Sequence, residues 1–140
     1  MKRRALGNTG IMVSEMGLGA WQLSGGAWGT AEGPESLRIV AAALDAGCDF
    51  FDTAPNYGKG RSEELLGEAL QKVRGKVTIC TKFGHGADAG PGFEVAKLRP
   101  SLEASLKRLR TDHVDVLMLH NPALELMNGK KEGAALFGEL

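Results

Sequence analysis

Four short, almost wholly apolar runs, each followed by a stretch with apolar residues at helical spacing, constrain this chain more than any other feature. "EMGLGAW", "CDFFDT", "KVTICTKF" and "HVDVLMLHNP" read as strands. Strands that are apolar on both faces belong to parallel sheets with both sides covered. The connecting segments read as helices. In "PESLRIVAAALDAGC", Pro34 opens a helix, Leu37, Val40, Ala41 and Leu44 form its stripe, and Gly47 marks its end. In the next, Ser62 caps a helix with Glu63 and Glu64 in its first turn, and Leu66, Ala69, Leu70 and Val73 line one face. Pro100 opens a third, with Leu102, Leu106 and Leu109 on one side, and "ELMNGKKEGAALFGEL" starts a fourth. Ahead of them "RRALGNTGIMVS" alternates around an Asn-Thr-Gly turn, as a β-hairpin does. The expected architecture is α/β: a hairpin over residues 1–15, then four βα units over 16–140 in a single domain, the last helix incomplete.

Composition narrows the function classes. The chain has 140 residues, with 17 basic against 17 acidic side chains. That balance offers no basic surface for nucleic acid. No apolar run approaches the ~20 residues that cross a bilayer, and "MKRRALGNTG" has no apolar region behind its arginines, so neither a membrane span nor a signal peptide is expected. Cys48 and Cys80 are too few and too far apart for a disulfide framework or a zinc site; reduced thiols in a cytoplasmic protein are the plain reading, and no metal centre is expected.

The strand ends carry the chemistry. The second strand ends on Asp52, the third on Lys82 and the fourth on His120, separated by 30 residues (52 to 82) and 38 (82 to 120). Functional groups of parallel sheets gather where the strands end. An aspartate, a lysine and a histidine therefore belong side by side on one rim, with Tyr57 on the loop after Asp52 leaning over it. A free tyrosine titrates near ~10, and a nearby ammonium favours the phenolate. Asp52, Lys82 and Tyr57 thus suit a tuned general acid, with His120 orienting a carbonyl oxygen. Taken singly, each has a bland reading: a loop-capping aspartate, a solvated lysine, a packed tyrosine, a hydrogen-bonded histidine. His85, in a glycine-rich loop, and His113, between a helix and a strand, read as surface residues.

"FDTAPNYGKGRSEELLGEAL", "TKFG" and "SLKRLRTDHVDVLMLHNP" resemble the aldo-keto reductases, and "GNTGIMVSEMGLGAW" is similar to the family's N-terminal hairpin and first strand. The resemblance implies a (β/α)8 TIM barrel, here its N-terminal half, and NADPH-dependent reduction of small aldehydes and ketones. It places the catalytic tetrad on Asp52, Tyr57, Lys82 and His120. It sets Trp21 and Asp52 near the nicotinamide, and Trp28, His120 and Asn121 on the substrate side. Trp28 reads equally well as a plain loop aromatic. The family binds NADPH without a G-x-G-x-x-G fingerprint, and "GLGAWQ" does not complete one.

Family members run to roughly twice this length, and most of their cofactor site lies beyond the fourth unit. Weak or absent NADPH binding is therefore expected of this chain alone. A non-catalytic half-barrel scaffold or truncated family member that keeps the tetrad is the alternative to an enzyme. Four strands leave two open edges, and Val77, Ile79, Val116 and Met118 are candidates for side chains lacking partners. A homodimer through those edges is expected, either rebuilding a closed barrel or packing sheet on sheet.

Overall fold

The computed structural model describes residues 1–25, 33–87 and 92–128, with Ala135 and Gly138. Strands β1 (Arg3–Ala5) and β2 (Met12–Ser14) form the antiparallel hairpin. Strands β3 (Leu18–Gly19), β4 (Phe50–Asp52), β5 (Thr78–Phe83) and β6 (Val116–Leu119) form a parallel sheet in chain order. Helices α1 (Gly33–Asp45), α2 (Arg61–Leu70) and α3 (Val95–Leu109) follow the first three of these, and α4 (Leu124–Asn128) follows β6. The half-barrel expected from the strand–helix alternation is present as four βα units, and β3 and β6 are its edges among the described residues.

Register sorts the side chains. Asp52 pairs with Cys80, Cys80 with Val116 and Lys82 with Met118, so these share one face. Phe51, Ile79, Thr81 and Phe83 take the other face, towards the helices. There Phe51 and Ile79 join Val40, Leu65, Leu66, Leu70 and Leu109 in the main core. Val77 and Ile79 are consequently buried, at 8% and 0% exposure, and do not lack partners; Met118 does, at 47%, with Val116 half-buried beside it. The two-residue period of a strand sets this: the odd-numbered residues of β5 face the helices and the even-numbered ones the open side.

Three helix details depart from the sequence reading. Ser62 lies inside α2, whose N-cap is Gly60, and makes no cap bond. Its hydroxyl donates to Ala20 O at 2.7 Å and meets Thr53 Oγ1 at 2.9 Å, which ties the ends of β3 and β4 together. Pro100 stands inside α3 rather than at its start, and Ala41 is exposed, with Ala43 packing in its place.

Helices α2 and α3 meet at Gly67. A Cβ there would stand 2.5 Å from Arg108 O and 2.7 Å from Leu109 C, backbone atoms that cannot swing aside. Alanine normally stabilises a helix interior by about 0.8–1 kcal/mol over glycine. Here overpacking wins, and Gly67→Ala is expected to destabilise by about 1–3 kcal/mol. A urea midpoint unchanged or raised at constant m-value would disprove the close approach.

The hairpin seats at the N-terminal end of the sheet. The Asp49 carboxylate accepts from Ser14 N at 2.6 Å and pairs with Arg3 at 2.8 Å, while Asp49 N donates to Ser14 Oγ. Between hairpin and sheet lies a cavity of about 360 Å³, lined by Val13, Leu18, Phe50 and, at one end, Asp52.

Candidate active site

The C-terminal rim is assembled by backbone bonds that run past the strands. Ala20 N donates to Asp52 O at 2.8 Å, Thr53 N to Cys80 O at 2.9 Å and His120 N to Phe83 O at 2.8 Å. Each bond carries the ladder one step further and brings a polar strand end level with its neighbour.

Lys82 occupies the centre. Its Nζ donates to Asp52 Oδ1 at 2.7 Å, Asp52 Oδ2 at 2.8 Å and Thr53 O at 2.8 Å. An ammonium has three donors, and all three are used. The Lys82 side chain is 11% exposed and that of Asp52 37%, so the pair is shielded from water on the lysine side and open to it on the carboxylate side. The same Nζ lies 4.9 Å from the centre of the Tyr57 ring, within cation–π range. Tyr57 sits in a turn whose three following residues, Gly58, Lys59 and Gly60, all have positive φ. A Cβ on Gly58 would fall 2.2 Å from Ser24 Cβ, so the turn also needs glycine for space.

His120 closes the group. Its ring meets Tyr57 edge-on at 5.6 Å between centres. It is 8% exposed, and among the described residues its buried Nδ1 has no hydrogen-bond partner. Burial, then the Lys82 ammonium and His85, hold the imidazole below the usual histidine range, against a smaller opposing pull from Asp52. His120 is therefore neutral at pH 7. Cys80, beside Asp52 on the same face, has its thiol pushed up to about 12, first by burial and then by the Asp52 charge, so it carries no thiolate character.

Asp52, Tyr57, Lys82 and His120 thus converge. Trp21, in a 3-10 turn after β3, lies 6.4 Å from the Tyr57 ring and is 46% exposed, an open aromatic face on the same rim. Asn121 follows His120 with a φ of 50° and an exposed side chain. Trp28 lies outside the described residues.

His85 is not a surface residue. Its ring is half-buried, 4.9 Å from His120 and 6.2 Å from Phe93. The signal was its position three residues after Lys82, just past a strand end; its glycine neighbours hid that. His113 is exposed and pairs with Asp112 at 2.6 Å, away from the rim.

A sequence model of the Aldo/keto reductase family matches residues 15–127. This chain belongs to that family. Among its relatives, aldo-keto reductase YhdN of Bacillus subtilis is 37% identical over 127 residues, covering 87% of this chain and 38% of that protein. The NADH-specific methylglyoxal reductase of Escherichia coli is 34% identical over 136 residues, covering 86% and 42%. The holo form of aldo-keto reductase AKR11C1 from Bacillus halodurans superposes with a TM-score of 0.84 at 28% identity, covering 99% of this chain and 46% of that one. The chain spans about two fifths of the length of the curated relatives it matches. The aldo-keto reductase fold accounts for the parallel order β3-β4-β5-β6 and for the polar rim at its C-terminal end.

Proposed function

We propose that this chain carries the proton-delivery side of an NADPH-dependent carbonyl reductase acting on small aldehydes and ketones. The observation that supports it most is the Lys82 ammonium held between the Asp52 carboxylate and the Tyr57 ring, with a neutral His120 alongside. In this reading Asp52 fixes Lys82. The ammonium stabilises negative charge developing on the phenolic oxygen as Tyr57 gives its proton to the carbonyl oxygen. His120 orients that oxygen by a hydrogen bond.

The nicotinamide cofactor, when bound, supplies a hydride to the carbonyl carbon. The rim suits the ring end of such a group: Trp21 offers an aromatic face and Asp52 a carboxylate. A dinucleotide is also gripped along its pyrophosphate and 2′-phosphate, by backbone N–H groups or arginine forks. Strand ends alone provide little of this, so the isolated chain binds NADPH weakly or not at all. A relative named as NADH-specific makes the choice between NADPH and NADH part of the test.

Titrating each cofactor with the protein and following nicotinamide fluorescence, with turnover of a reactive aldehyde assayed in parallel, tests the reading. Weak binding with measurable aldehyde reduction is expected. No reduction at saturating cofactor and high protein concentration would defeat the enzyme reading and leave the second one, a non-catalytic half-barrel.

That second reading draws on the open edges β3 and β6 and on Met118, 47% exposed on the face opposite the helices. Such a surface favours self-association, most simply a homodimer. Light scattering showing a monomer at micromolar concentration would remove it. No described helix is long and apolar enough to cross a membrane. Two buried free cysteines accord with a cytoplasmic site of action.

A further inference from the structure

The buried Nδ1 of His120 needs a partner. An imidazole nitrogen removed from water without a hydrogen bond is costly, and such groups are uncommon in folded proteins. The Lys82 ammonium acts on His120 through its charge, but its three donors are taken by Asp52 and Thr53. Tyr57 meets His120 ring edge to ring. A second polar ring packed on His120, beside that of Tyr57, is His85. Their ring centres are 4.9 Å apart with the planes inclined by 56°. Two imidazoles joined by one N–H···N bond have ring centres about 5 Å apart: about 2.9 Å of hydrogen bond plus about 1.1 Å from each nitrogen to its ring centre. The separation of the ring centres is that of a bonded pair; the rings as placed make no hydrogen bond, and forming one needs a ring to turn so that two nitrogens face each other. His85 is half-buried and stands on the loop after β5, with the Phe93 ring 6.2 Å away.

We propose that His85 donates a hydrogen bond to Nδ1 of His120 and thereby fixes His120 in the tautomer that carries its proton on Nε2. A neutral imidazole has one donor and one acceptor nitrogen, and the bond made by one nitrogen decides the role of the other. His120 is buried and neutral at pH 7, so its tautomer decides what it offers the rim. With Nδ1 accepting, Nε2 presents an N–H. That is the group a carbonyl oxygen beside Tyr57 requires. The direction of the bond rests on the function proposed above; the pairing of the two rings does not. His85 is then a positioning residue, acting through His120.

Nitrogen-15 NMR of histidine-labelled protein near pH 7.5 reads the tautomer directly. The wild type is expected to show His120 almost entirely as Nε2–H. His85→Ala is expected to convert it to a mixture of both forms. His85→Gln, which keeps an N–H donor at a similar reach, is expected to restore the wild-type pattern. His120 protonated on Nδ1 in the wild type, or unchanged by His85→Ala, would overturn the proposal. If His85→Ala does not fold, the wild-type spectrum still decides, since Nδ1–H there is incompatible with it. The expected tautomer shift without carbonyl reduction by any form would count against the reductase reading alone and leave the pairing standing.

Discussion

Arg108→Met should cost this protein about 3–5 kcal/mol, the penalty for leaving a buried charge without its partner. Glu63, in the first turn of α2, is wholly buried behind the sheet. Its Oε1 accepts from Thr81 Oγ1 at 2.6 Å and its Oε2 from Arg108 Nε at 2.6 Å. Arg108 reaches it from α3, supported by Ser105 Oγ at 3.2 Å. Methionine keeps the unbranched stem against Gly60 but removes the charge. The carboxylate then holds only a neutral hydroxyl. Domains of this size are stable by about 5–15 kcal/mol, so a large part of the total is at stake. The double variant Arg108→Met with Glu63→Gln should lose less, because no charge is left stranded. Chemical denaturation of the two variants side by side checks both statements. A loss under about 1 kcal/mol in the single variant would show that the pair is solvated, as surface pairs are. Thr81 precedes Lys82 on β5, so this interaction behind the sheet also sets the strand that presents the site lysine on its front.

Tyr57→Phe is expected to lower turnover of a reactive aldehyde by about 10²–10⁴-fold, the range that a positioned general acid supplies. The substitution keeps the ring that packs against His120 and Trp21 and the face that Lys82 approaches. It removes only the hydroxyl. Stability and cofactor affinity should therefore change little, and the loss should fall on kcat. Steady-state kinetics with a fluorescence titration of the nicotinamide cofactor separates these quantities. An unchanged kcat would mean that another group delivers the proton and would withdraw the role assigned to Tyr57.

The architecture was legible because periodicity carries it. Apolar runs at β4, β5 and β6, each near a polar terminal residue, predicted both the parallel sheet and the order of groups on its rim. What failed was local. Ser62 before two glutamates has the composition of a cap, yet its hydroxyl is bound to Ala20 O and Thr53, a contact 42 residues distant that no local pattern encodes. Pro100 looks like a first-turn residue, but α3 begins at Val95 and accepts the missing N–H. The sidedness of β5 is not legible because a strand apolar on both faces gives no alternation to follow. Thr78, Cys80 and Lys82 face one way, and Val77, Ile79 and Thr81 the other. The position of His85 could not be read because glycine flanks it and the loop's course decides where its ring lands.

The Ser62 hydroxyl has a wider consequence. It joins the backbone after β3 to the Thr53 side chain just after β4, while Thr53 O is held by Lys82. The segment from Ala54 to Gly60 therefore leaves a fixed point and returns to a fixed point only two residues further on in α2. Such a segment behaves as a cassette. Its outer positions, Asn56, Tyr57 and Lys59, can be exchanged without disturbing the sheet, provided that the buried Ala54 and Pro55 and the glycines at 58 and 60 are kept. The rim's framework and the residue it displays are thus separable, and new chemistry can be grafted between the clamps while Asp52 and Lys82 stay where they are.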